Sequence, residues 1–131
     1  MLLTGRILSN VSNVNSFCYV DQARFTEGDP EVVYIQLLDG AKGEAPGMRY
    51  MPPATSTLSI TINHINADKA ITRAGSQVYP TSDPSIWSLT FLSTDTLKGT
   101  FDIKLTLTEP TRVIRGVIRH GLSILPQNPT Y

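Results

Sequence analysis

Thr57-Leu58-Ser59-Ile60-Thr61-Ile62-Asn63-His64 alternates polar and apolar side chains along its whole length. A period of two places every second residue on one face of an extended chain, so this stretch reads as a half-buried strand. Thr100 to Thr108 repeats the pattern, with Phe101, Ile103, Leu105 and Leu107 against Asp102, Lys104, Thr106 and Thr108. Ile86 to Leu92 carries it a third time, with Trp87, Leu89 and Phe91 on one face and Ser88 and Thr90 on the other. Glu31 to Leu38 is rich in β-branched and aromatic residues and lies between turn signals at Asp29-Pro30 and Asp39-Gly40;. Arg112 to Ile124 alternates less cleanly. Ile114, Gly116, Ile118, His120, Leu122 and Ile124 form one face, and Val113, Arg115, Val117 and Arg119 form the other.

Outward from these strands the chain is punctuated by turn-forming residues. Asp83-Pro84 repeats the Asp-Pro signal, and Gly43, Pro46, Gly47, Pro52 and Pro53 break the segment from Ala41 to Pro53 into a loop;. Shorter runs at Phe17 to Val20 and Ala70 to Arg73 suit further strands, and Leu2 to Val14 suits a weak strand followed by a loop or arm. Fifteen threonines and eleven serines favour strands and turns over helices;. About seven strands at regular spacing predict an all-β fold, an antiparallel two-sheet β-sandwich of immunoglobulin-like architecture with irregular terminal arms;. The Cys…Trp…Cys pattern of antibody domains is absent. The 131 residues make one domain: an N-terminal strand or arm over 1–30, a β-sandwich over 31–125 and a tail over 126–131;.

Eleven basic and eleven acidic residues cancel, and only 17% of the chain is charged, against roughly 25% in an ordinary soluble domain;. The balance argues against nucleic acid as a partner, because a phosphate-binding surface needs a basic surplus. It favours association with other proteins or with copies of the chain. The charges are also partitioned. Residues 21–44 carry a net −4, residues 45–131 carry +3, and Arg6 supplies the last positive charge. No apolar run approaches the ~18 residues that a membrane-spanning helix needs, and the N-terminus does not read as a signal peptide;.

Candidate chemistry is sparse. Cys18, the single cysteine, reads as a buried apolar residue in Phe17-Cys18-Tyr19-Val20;. His64 reads as a strand-end histidine. Neither His64 nor His120 has a metal-type neighbour spacing, and no carboxylate pair or nucleophile–base pattern stands out, so no enzyme activity, cofactor or small-molecule substrate is expected;. Trp87 reads as a core anchor. The contact candidates are the apolar loop residues Met48, Tyr50 and Met51 with Arg49, then Arg112, Arg115 and Arg119, and finally Tyr131. The three arginines fall in residues 110–131, which contain no acid, and suit either an interface or a charged sheet edge;. The loop suits either a contact or a cover over the end of its own sandwich.

Four pieces of the chain carry a family resemblance. They are Val33 to Asp39, Arg49-Tyr50-Met51-Pro52-Pro53-Ala54, Asp83 to Leu89, and Gly99-Thr100-Phe101 through Glu109 to Arg115-Gly116-Val117-Ile118. Over residues 31–124 the chain resembles small β-sandwich virion structural proteins of tailed bacteriophages. The resemblance implies a non-enzymatic protein made in the host bacterial cytoplasm and built into the virion, a tail, baseplate or neck adaptor. Its partners would be other virion proteins and copies of itself. The alternatives are a capsid decoration protein or a carbohydrate-binding receptor-recognition module.

Overall fold

A computed structural model describes residues 1–9, 18–40, 49–95 and 97–126. It is all-β, with ten strands and no helix among the described residues. The strands are β1 (Leu3–Leu8), β2 (Tyr19–Val20), β3 (Ala23–Thr26), β4 (Glu31–Asp39), β5 (Thr57–His64), β6 (Ala70–Ala74), β7 (Ser76–Tyr79), β8 (Asp83–Phe91), β9 (Gly99–Thr108) and β10 (Val113–Leu125).

The ten strands form one continuous hydrogen-bonded sheet, eight of them in the order β6-β5-β9-β10-β1-β4-β8-β7 with β2 paired to β1 and β3 to β10 off this path, where two separate sheets of about seven strands were expected. The sheet curls because its two ends are the same piece of chain. Strands β6 and β7 lie at opposite ends of the order, yet Gly75 alone joins them, its N–H donating to the carbonyl of Leu58. Strands that turn a corner in this way let one sheet fold its halves face to face. The inner residues of both halves accordingly share one core. Leu58, Ile60, Ile62, Phe101, Ile103, Leu105 and Leu107 on one side meet Val33, Ile35, Leu37, Trp87, Leu89 and Phe91 on the other.

Pairing is mixed, where an antiparallel arrangement was expected. Strand β1 runs parallel to β10 at Leu3↔Gly116, and β3 runs parallel to β10 from Leu122↔Ala23 to Leu125↔Thr26. The reason is topological. Alternation sets which face a side chain occupies and says nothing of the neighbour's direction. The chain's first and last strands meet side by side with no hairpin to force them antiparallel. The N-terminal segment, expected as a weak strand followed by a loop or arm, therefore supplies an interior strand whose Leu3 and Ile7 are in the core.

Strand β10 carries a bulge. Ile118 pairs with Ile103 and Leu122 with Phe101, so β10 spends two residues more than β9 over this interval. His120 lies inside it with φ at 52°, a left-handed conformation uncommon outside glycine;. Its N–H donates to Asp102 Oδ1 at 2.8 Å and its carbonyl accepts from Gln22 Nε2 at 2.9 Å, so the bulged backbone groups are satisfied. The bulge exposes His120, which simple alternation had placed on the apolar face. Cys18 is likewise exposed, against the expected burial, because it precedes a two-residue strand whose side chains both face solvent. The second Asp-Pro signal opens β8 instead of standing outside it, and Asp83 is buried.

Candidate functional site

The outer face of the β6-β5-β9-β10 half is a carpet of short polar side chains. Strand register sets them in rows: Thr72, Thr61, Lys104 and Val117 form one, and Ala74, Ser59, Thr106 and Arg115 the next. Thr61 Oγ1 and Thr72 Oγ1 are 2.7 Å apart, a cross-strand hydrogen bond that holds two of these strands in register;. Threonine suits this position because its branched Cβ favours the extended backbone while its hydroxyl faces water.

On this face lies a groove of about 870 Å³, flanked by Leu2 and Thr4 at the start of β1. Its charged lining is Lys104, Arg115 and Arg119 against Asp102. The three cations are exposed and none makes an ion pair among the described residues. One carboxylate oxygen of Asp102 is engaged by the His120 N–H. The groove thus offers hydroxyls, an amide and a net positive charge on a sheet face, an arrangement suited to binding by complementarity, and no nucleophile is held by a base there among the described residues;.

The structure brings Arg115 and Arg119 together in this groove and sends the other described candidates elsewhere. Arg112 donates from Nε to Glu109 Oε1 at 2.7 Å and from Nη2 to the Tyr50 hydroxyl at 3.2 Å. Tyr50 in turn donates to Glu109 Oε2 and packs against the core. Of the two readings of the apolar loop, Tyr50 follows the cover over the chain's own core. Arg49 donates to the buried Asp83 at 3.1 Å. Met51 alone of the described loop candidates presents a large exposed apolar surface. Met48 and Tyr131 lie outside the described residues. Lys104, Thr61, Asn63 and Thr106 were missed as site residues. Their signal was present as the polar phase of two alternating strands, but only the register shows that they adjoin Arg115.

The remaining acids hold loops in place. Asp83 accepts from Ser85 Oγ and Ser85 N, Gln36 Nε2 donates to Ser85 Oγ at 3.4 Å, and the Tyr19 hydroxyl donates to Gln36 Oε1 at 3.1 Å. Arg6 lies over the Tyr19 ring, 4.3 Å from its centroid;. Arg73 grips Asp95 with both terminal nitrogens, Nη1 reaching Oδ2 at 2.7 Å. His64, at the end of β5, stands edge-on to Phe101 and accepts the Asn66 N–H at Nδ1. No three potential metal ligands cluster among the described residues.

These pairs have a consequence for acid stability. Hydrogen bonds from Arg73 hold the Asp95 carboxyl below its ordinary range, against the opposing effect of burial, and the Leu92 N–H and the Arg73 charge add to them. Burial disfavours ionised Glu109, but the hydrogen bonds from Arg112 and Tyr50 and the Arg112 charge together outweigh it, so this carboxyl is also lowered. A carboxyl lowered on folding contributes stability above its unfolded pKa and loses it as pH falls through the folded one. The melting temperature is therefore expected to hold from neutrality to about pH 4.5 and to fall below about pH 4. Asp95→Asn and Glu109→Gln should each lower the plateau and flatten the acid limb in melts recorded across that range. An acid slope unchanged in both variants would show that neither pair contributes.

Comparison with protein-family models and with curated proteins found no match.

Proposed function

We propose that this protein is a non-enzymatic structural component of a tailed-phage virion, a tail, baseplate or neck adaptor that works by seating neighbouring subunits. The observation that carries the reading is the groove on the outer sheet face, where Lys104, Arg115 and Arg119 stand among threonine hydroxyls and the Asn63 amide, without an ion pair among the described residues. A rigid, two-layered body in the manner of a sandwich, its halves closed over one core, presents such a surface without a moving part;. The resemblance of residues 31–124 to small virion proteins supplies the setting. A carbohydrate-binding module is the weaker reading, because no aromatic side chain lines the groove among the described residues, and sugar recognition draws on aromatic platforms;.

Quantitative mass spectrometry of purified virions tests this proposal. The protein should be present at a fixed copy number, in a small multiple of the tail symmetry for an adaptor. Copies in the hundreds would move it to the capsid as a decoration protein, the alternative within the same class. Absence from the particle would overturn the reading.

A further inference from the structure

The basic groove has a counterpart on the same chain that it cannot reach. Between β3 and β4 the chain turns through Glu27-Gly28-Asp29-Pro30-Glu31, with Gly28 at φ 90° and the Asp29 N–H donating to Thr26 at 3.1 Å. The turn and the first residue of β4 bring three carboxylates within five residues, Asp29 and Glu31 exposed and Glu27 half-buried, and none of them makes an ion pair among the described residues. Its place is fixed by the Glu27 N–H, which donates to the carbonyl of Leu125 at 2.8 Å, so the turn sits at the C-terminal end of β10. The groove lies along the other end of that strand, at Arg115 to Arg119, some ~20–25 Å away at the rise of an extended chain;. One rigid strand thus holds a positive concavity and a negative knob apart.

We infer that the groove receives the acidic turn, residues 27–31, of a second copy of this chain, giving a head-to-tail contact. The inference rests on the proposed docking role of the groove and names its occupant. Charge complementarity supports it. The groove's Lys104, Arg115 and Arg119 exceed Asp102 by a net +2, and the turn brings −3;. Shape agrees, because a projecting turn enters a concave sheet face. The geometry is heterologous: the two patches differ, so a pair of copies keeps one free turn on the first and one free groove on the second. Repetition then closes a ring or extends a filament, whereas a two-fold dimer would bury the same patch twice.

Sedimentation equilibrium and native mass spectrometry of the purified full chain test the contact. The wild type is expected to associate with concentration at 50 mM salt and to dissociate about tenfold more readily at 500 mM, as exposed charge pairs are screened. A variant with K104E, R115E and R119E and a variant with E27K, D29K and E31K should each lose association. An equimolar mixture should regain it, because each then offers what the other lacks. Trp87 emission and thermal melts establish that both variants are folded, and the salt response of the wild type stands without them. A wild type that stays monomeric, a mixture that stays monomeric, or a two-fold dimer that survives in both variants would overturn the inference. A monomeric protein found in virions would sink this contact and leave the docking role. A self-associating protein absent from virions would do the reverse.

Discussion

Replacing Gly116 with alanine is expected to lower the melting temperature by about 10 °C, and valine by more. A Cβ at Gly116 would lie 2.1 Å from the Leu3 carbonyl oxygen and 2.7 Å from its carbon. Both are backbone atoms, so no side chain can swing aside to make room. The pair Leu3↔Gly116 is where β1 and β10 meet, and β1 would have to leave its place between β10 and β4. Leu3 and Ile7 leave the core with it. Overpacking of this kind costs about 3 kcal/mol, a large part of the stability of a small domain. Gly40→Ala is the control, since its added Cβ meets nothing nearer than 3.4 Å, and it should melt within a few degrees of the wild type;. A Gly116→Ala protein that melts with the control would mean that the first and last strands do not meet in this way.

The second large effect is expected at Trp87. Its side chain is 3% exposed and belongs to the core shared by both halves of the sheet. It lies beside the Gly75 corner, where Ile60 and Leu58 of β5 also converge. Truncation to alanine should cost about 3–5 kcal/mol, through lost apolar burial and the cavity left behind. Its indole Nε1 is buried with no hydrogen-bond partner among the described residues. Phenylalanine removes that unsatisfied donor while keeping most of the apolar bulk. Trp87→Phe should therefore cost only about 1 kcal/mol. Urea unfolding followed by circular dichroism measures both, since the tryptophan signal is lost in each. A Phe variant as weak as the Ala variant would mean that Nε1 has a partner worth keeping.

The strands at Thr57–His64, Gly99–Thr108 and Glu31–Asp39 were legible because burial on one face writes a period of two into the sequence. Leu3-Thr4-Gly5-Arg6-Ile7-Leu8 was less so. Gly5 stands in the strand interior with Ile118 and Ile35 packed over it, so the alternation from Leu3 to Ile7 lacks an apolar side chain at its middle position. The curl was hidden in Gly75, a single residue between two edge strands, because sequence shows that they are consecutive but not which neighbours they choose. The burial of Asp83 and Glu109 was not legible, since Arg49 and Tyr50, which meet them, are brought there by tertiary contacts. Half of the groove was visible, as the acid-free run with Arg115 and Arg119. The other half came from threonines and Lys104 on strands that only the register places alongside.

The most direct test of the docking role is the reactivity of Lys104, the groove's lysine, toward an amine-specific label in the free protein and in intact virions. Lys69 and Lys98, exposed outside the groove, serve as internal references. Lys104 should react as fast as the references in the free protein and be protected several-fold relative to them in the particle. Equal reactivity of all three lysines in both states would contradict a subunit that works through this groove.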